Sequence, residues 1–171
     1  MNKLVKYINR GLAAFTISLS TFLVFCVVWQ VLSRFVIGKP STVTDELARY
    51  LFMWVALIGA AYTTGLKRHL AIDLLTMKLQ GKRKFINEII IQMTVALFSY
   101  VVLVHGGTQL ALKTLAMGQL TPALGMEMGY IYLCLPISGA LMIFYSLVFA
   151  FERIKQLRSG EIQLTSAQND Q

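Results

Sequence analysis

The sequence predicts an all-α integral membrane protein with four transmembrane helices, both termini cytoplasmic, and a short amphipathic interfacial helix between spans two and three. Three observations predict it. Of the 171 residues, 56% are hydrophobic and the mean hydropathy is +0.63, above the roughly 45–50% apolar content of soluble domains. The apolar residues are gathered into four blocks almost bare of charge, long enough to cross a hydrocarbon core that needs about 20 residues. Finally, lysine and arginine sit at the ends of those blocks on alternating sides, as the positive-inside rule requires. The chain reads as one four-span domain over 1–171, with spans at about 11–37, 43–66, 86–112 and 128–151, followed by a cytoplasmic tail over 152–171.

Span one follows an arm carrying Lys3, Lys6 and Arg10, and Gly11 to Ser33 holds no charged residue. A secretory signal has an apolar core of only about 7–15 residues, so this block is expected to be a retained span, with Trp29 near the far interface. Span two is uncharged from Tyr50 to Leu66, slightly short alone for a bilayer. The polar turn before it lengthens it. Thr42 and Asp45 have capping-box spacing just after Pro40, which predicts a helix start near Val43.

After span two, Ile72, Leu75 and Leu79 recur at helical spacing among Asp73, Lys78, Lys82, Arg83 and Lys84. That pattern suits a helix lying in the headgroup plane; a solvated loop is the alternative. Span three, from Ile89 to Leu112, holds no acid or base except His105. Span four runs from Met128 to Phe151, with Pro136 expected to kink it. Residues 113–127 between them carry only Lys113 and Glu127 as charges.

Twelve of the sixteen lysines and arginines fall in the N-terminal arm, the connection after span two and the tail; four fall in the opposite two connections. Both termini are therefore assigned to the cytoplasm. The net charge of +8 raises nucleic acid as a partner in a soluble protein. Here the basic residues border apolar blocks, so it is read as orientation and lipid-headgroup contact, with no nucleic acid. Cys26 and Cys134 lie inside apolar blocks with no C-x-x-C, which argues against a disulfide framework or a thiolate metal site and for small buried residues.

Asp45, Glu46 and Arg49 fall within one helical turn, so only one acid can pair well with Arg49. The acid left over needs another donor near an apolar boundary, and Arg34 at the end of span one is the nearest candidate. The expectation is a cluster of Arg34, Asp45, Glu46 and Arg49 that fixes spans one and two and offers an edge to a partner; a solvated helix start is the plainer reading. His69 and Asp73, four apart, suit a boundary hydrogen bond, with a proton relay as the alternative. His105 precedes Gly106 and Gly107, residues that permit close helix approach, and is assigned an interhelix hydrogen bond over a functional role.

Other four-span classes fit poorly. Two axial haem histidines must share a depth, but His69 and His105 differ by roughly 20 Å at 1.5 Å per residue. A thiol oxidase needs reactive loop cysteines, and a proton-coupled exporter needs a mid-membrane carboxylate, whereas the acids here lie at or beyond span ends. No internal repeat supports an inverted-repeat transporter core.

Several short pieces in fixed order carry a family resemblance: Trp29-Gln30-Val31 to Arg34-Phe35, Gly38, Asp45-Glu46-Leu47-Ala48-Arg49-Tyr50, Trp54, Gly59-Ala60-Ala61, His69 with Asp73, Ala123-Leu124-Gly125, and Leu135-Pro136. The chain resembles the small membrane subunit, DctQ-type, of tripartite ATP-independent periplasmic (TRAP) transporters. Asp45-Glu46 stands where that family often has two glutamates. The resemblance implies an accessory scaffold subunit of a sodium-driven, binding-protein-dependent importer of an organic acid of the C4-dicarboxylate or sialic acid type. Its implied partners are a large multi-span membrane subunit, which holds the substrate and sodium sites, and a periplasmic binding protein. The implied location is the bacterial inner membrane, without enzymatic activity or cofactors. The apolar loop from Leu115 to Met128, holding Met117, Leu120, Leu124, Met126 and Met128, is then expected to be covered by the large subunit or the docked binding protein, or else to dip into the headgroups. A self-sufficient small homo-oligomeric transporter or channel is the runner-up.

Overall fold

A computed structural model describes residues 3–66 and 82–158. Helix α1 spans Lys3–Phe35 and α2 spans Thr42–Gly65. Helix α3, Lys82–Phe98, continues without a break through a π-helical segment, Ser99–Gly106, into α4, Gly107–Ala116. Helices α5, Met128–Tyr132, and α6, Cys134–Arg158, complete the chain. No strand occurs among the described residues, and four stretches are long and apolar enough to cross a membrane: Val5–Phe35, Thr42–Gly65, Asn87–Ala116 and Met128–Glu152. The expected interfacial helix over 70–85 falls mostly outside the described residues; its end, from Lys82, is the first turn of α3. His69 and Asp73 also lie outside them.

Span one packs along span two as an antiparallel hairpin, span two along span four, and span four along span three. Gln30 meets Asp45 near the connected end, Phe15 packs edge-on against Trp54, and Asn9 Nδ2 donates to the Gly65 carbonyl at the other end. There Val5, Tyr145 and Phe149 form a buried core, with Ile8, Leu12, Phe144 and Val148 against it. Span four is the most enclosed and span one the least, so span one turns a wide apolar face outward, including Phe22, Val24 and Phe25. Cys26 and Cys134 are buried free thiols, as their apolar setting predicts.

Spans three and four are drawn together by glycines. A Cβ built at Gly107 would lie 2.6 Å from the Leu135 Cβ, one at Gly139 2.7 Å from the Leu103 Cβ, and one at Gly129 would overlap the Leu115 side chain. Hydrocarbon offers no hydrophobic drive between helices, so such close contact is the main attraction available. Gly106 takes no part in it: its Cβ would meet only its own segment's Val101 carbonyl, at 3.6 Å. Span four breaks at Leu133, three residues before Pro136. A proline lacks the N–H for the carbonyl four residues back, here Tyr132, and its ring crowds that carbonyl. His105 differs from its expected role. Its side chain is exposed and its ring lies 3.2 Å from Gln109 Nε2, one turn along the same span. The π-helical segment widens the turn there, and the i,i+4 neighbour satisfies the imidazole before another helix can.

Candidate functional site

The best-built polar site lies at the end of the bundle where residues 36–41 join spans one and two and residues 117–127 join spans three and four. Asp45 and Glu46 are adjacent on α2, so their side chains leave the helix about 100° apart. Each finds a partner four residues on. Arg49 Nη2 donates to Asp45 Oδ2 at 2.7 Å, and the Tyr50 hydroxyl donates to Glu46 Oε1 at 2.7 Å. The helix repeat thus divides the acids between two stripes: Asp45 faces span one, where Gln30 Nε2 donates to Oδ1, and Glu46 faces the 117–127 connection.

Glu46 is buried, and its second oxygen makes the long-range contact. Oε2 accepts the backbone N–H groups of Ala123, at 2.7 Å, and Leu124, at 3.0 Å. Those donors are free for a local reason. Pro122 begins a single turn in which the Gly125 N–H reaches the Thr121 carbonyl at 3.0 Å. The N–H groups of its early residues have no internal acceptor, as at any helix start. The Glu46 carboxylate serves as the cap that this turn does not supply itself, and hydrogen bonds to an ionised acceptor are stronger than neutral ones.

The connection is otherwise closed on itself. Thr121, buried, donates its N–H to the Met126 carbonyl at 2.8 Å and accepts the Met126 N–H on Oγ1 at 2.9 Å. The Met128 N–H reaches the Gln119 carbonyl at 2.9 Å, and Leu120 and Glu127 form an antiparallel bridge. Gly118 and Gly125 take φ of 60° and 65°, left-handed values that suit glycine. A rigid knuckle results. Its surface is apolar: Met117, Leu120 and Met126 are all more than half exposed. Leu124 is half-buried, its backbone held by Glu46.

The expected four-membered charge cluster does not form with Arg34. Arg34 is exposed and makes no ion pair among the described residues. Both oxygens of Asp45 are already taken by Gln30 and Arg49, and both of Glu46 by Tyr50 and the knuckle. Hydration of an exposed guanidinium competes well with a surface ion pair worth about 0–1 kcal/mol. Span one instead presents Gln30 and the buried Ser33 to span two, and the Ser33 hydroxyl accepts the Ser41 N–H at 3.4 Å. The capping box is not formed either: Ser41 rather than Thr42 is the N-cap, without a side-chain bond, which puts Asp45 one residue beyond the third helical position that a capping box uses.

Sequence reasoning missed Tyr50, Gln30 and the two backbone donors. The spacing rule that joins Asp45 to Arg49 also joins Glu46 to Tyr50, so Tyr50 was findable. The Ala123 and Leu124 donors lie 77 and 78 residues from Glu46, and only Pro122 hinted at free N–H groups there. Among the described residues no group of histidine, cysteine and acidic side chains could hold a metal ion.

The site's main pieces, Asp45 to Tyr50 and Ala123-Leu124-Gly125, fall inside a stretch that known proteins share. Residues 23–156 match the family described as tripartite ATP-independent periplasmic transporters, DctQ component. Two relatives match most of the chain. One is the sialic acid TRAP transporter small permease protein SiaQ of Vibrio cholerae, 29% identical over 157 residues, which are 92% of this chain and 89% of the relative. The other, from Haemophilus influenzae, is provisionally named a TRAP transporter small permease protein. It is 26% identical over 142 residues, 83% of this chain and 86% of that protein.

Proposed function

Since the chain belongs to the DctQ-component family of tripartite ATP-independent periplasmic transporters, we propose that it is the scaffold subunit of a sodium-driven importer of an organic acid. It pairs in the bacterial inner membrane with a large multi-span subunit that holds the substrate and sodium sites, and a periplasmic binding protein delivers the cargo. The Vibrio cholerae relative, whose name includes sialic acid, favours an acidic sugar or a similar carboxylate as that cargo. Both termini are cytoplasmic, which places the Glu46-held knuckle on the periplasmic side.

The observation that carries this reading is the knuckle itself. A short connection is clamped to span two by a buried carboxylate, while its apolar side chains face outward. Exposed apolar surface of this kind marks a protein or membrane contact; a connection clamped in one shape favours the protein, because holding it so beforehand lowers the ordering cost of docking. In this reading Glu46 and Tyr50 position the contact, Leu120 and its neighbours make it, and Leu124 supports it from below. Arg34, Asp45, Arg49, His69 and Asp73 then belong to the scaffold's boundaries, with no part in substrate or sodium binding.

Two measurements test it. In a chain lacking Cys26 and Cys134, single cysteines replace Lys82 and Gln119. An impermeant thiol reagent, added to cells with a permeabilised outer membrane, is expected to label position 119 and spare position 82; labelling at 82 reverses the assigned topology. For the contact, Leu120→Glu is expected to cut recovery of the co-purifying large subunit several-fold. The helicity and thermal midpoint of the isolated chain should stay at wild-type values, since Leu120 is 59% exposed and exposed substitutions usually shift stability by no more than about 0.5 kcal/mol. Full recovery with Leu120→Glu removes the knuckle from the interface. Self-association with no large partner removes the scaffold role altogether and leaves a self-sufficient transporter.

A further inference from the structure

Beside the Asp45–Arg49 pair, on the face of the hairpin away from the knuckle, an open groove of about 350 Å³ runs between spans one and two. Its walls are Leu23 and Val27 from one helix and Ala48 and Phe52 from the other; Gln30, Asp45 and Arg49 line it as well. At 1.5 Å per residue, Gln30 and Asp45 lie roughly 5–8 Å inside the connected ends of their helices, and Leu23 roughly 18 Å inside. The groove therefore has a polar mouth near the membrane boundary and an apolar floor reaching into hydrocarbon depth.

We infer that this groove binds one glycerophospholipid, with the phosphate on Arg49 and an acyl chain between spans one and two. Three observations favour that occupant. Arg49 gives Nη2 to Asp45 and holds no other hydrogen bond among the described residues, so most of its five donors are available to an anion. A guanidinium is suited to phosphate through paired N–H groups. Asp45 is already satisfied by Gln30 and Arg49, which fixes the guanidinium without drawing in a ligand cation. Exposed Arg34 and Lys39 at the same end add positive potential. A slot of about 350 Å³ between two helices suits a thin chain better than a helix about 10–12 Å across with its side chains. An extended acyl chain is several times thinner and fits lengthwise. The inference rests on membrane embedding alone and stands apart from the proposed contact with a large subunit.

The test uses the full-length chain in mild detergent, titrated with phosphatidylglycerol and read by native mass spectrometry. One lipid is expected to remain bound through gas-phase activation. Arg49→Gln should weaken it by about tenfold or more, the scale of a charge-assisted hydrogen bond. Val27→Trp, an exposed position on the groove wall, should prevent binding by filling the slot. Val24→Trp, exposed but off the groove, should bind as wild type. Diacylglycerol and inorganic phosphate serve as tail-only and head-only probes, and both should bind far more weakly. The inference is overturned if Arg49→Gln binds as wild type, or if either probe matches the phospholipid. It is equally overturned if wild type retains no lipid while Val27→Trp prevents recovery of a membrane partner, since the groove then seats protein. Should Val27→Trp lose its helical circular dichroism, Arg49→Gln and the two probes decide the question.

Discussion

Glu46→Ala is expected to release the 117–127 knuckle from the bundle and to abolish stable recovery of the large subunit. The substitution removes the sole acceptor, among the described residues, for the Tyr50 hydroxyl and for the Ala123 and Leu124 N–H groups. The backbone donors sit in a turn that provides no substitute acceptor, and leaving such donors unpaired is costly. The turn can recover them only by opening to water. Amide hydrogen exchange measures this directly. Protection at Ala123 and Leu124 should fall by about tenfold or more, as for a segment passing from clamped to locally open. Protection in the middle of spans three and four should stay nearly unchanged. Glu46→Gln should fall between, because one amide oxygen replaces two carboxylate oxygens and its NH₂ group cannot accept. Tyr50→Phe should have the smallest effect, since it leaves both backbone bonds in place. Unchanged exchange at both amides in Glu46→Ala would reject the clamp. A large change in the sodium dependence of transport, with assembly intact, would instead place Glu46 in the coupling machinery and reject the scaffold reading.

Gly107→Ala should destabilise the contact between spans three and four, whereas Gly106→Ala should be nearly neutral. The two residues are neighbours in sequence and almost identical to sequence reasoning. At Gly107 the new methyl would lie 2.6 Å from the Leu135 Cβ and 3.2 Å from the Pro136 Cδ. Neither atom can rotate away, because a Cβ moves only with its backbone and a proline ring is fixed. Overpacking of this kind costs about 1–3 kcal/mol. At Gly106 the nearest atom is a backbone oxygen at an ordinary 3.6 Å, and alanine is the better helix former. Thermal denaturation in detergent, followed by circular dichroism, should show a midpoint several degrees lower for Gly107→Ala and an equal or slightly higher one for Gly106→Ala. Gly139→Ala should resemble Gly107→Ala, since its methyl would meet the Leu103 Cβ at 2.7 Å. Equal midpoints for the adjacent pair would show that spans three and four can separate slightly at no cost, contrary to the packing described.

The sequence by itself determined the fold class and the four spans, because both follow from local quantities. A run of apolar residues long enough to cross hydrocarbon must satisfy its backbone internally, and a helix does so whatever surrounds it. The sequence also determined that one of Asp45 and Glu46 would need a donor other than Arg49, since that follows from helical spacing and the cost of an unpaired carboxylate near an apolar boundary. Only the tertiary structure decided which donor it is. Arg34 is the near choice along the chain, yet the partners are Tyr50 and two N–H groups more than seventy residues away. Those two groups belong to backbone, which carries no residue-type signal, and their availability depends on how the turn after Pro122 closes. The same limit explains Gly106 and Gly107. Composition marks both as sites of close approach, but helix rotation places only one against span four, and rotation is set by the packing of side chains on both helices. Which apolar faces meet lipid, partner or one another was unreadable for that reason. Spans apolar all round have no polar stripe to fix their rotation, so shape and the few polar contacts at their ends choose the arrangement.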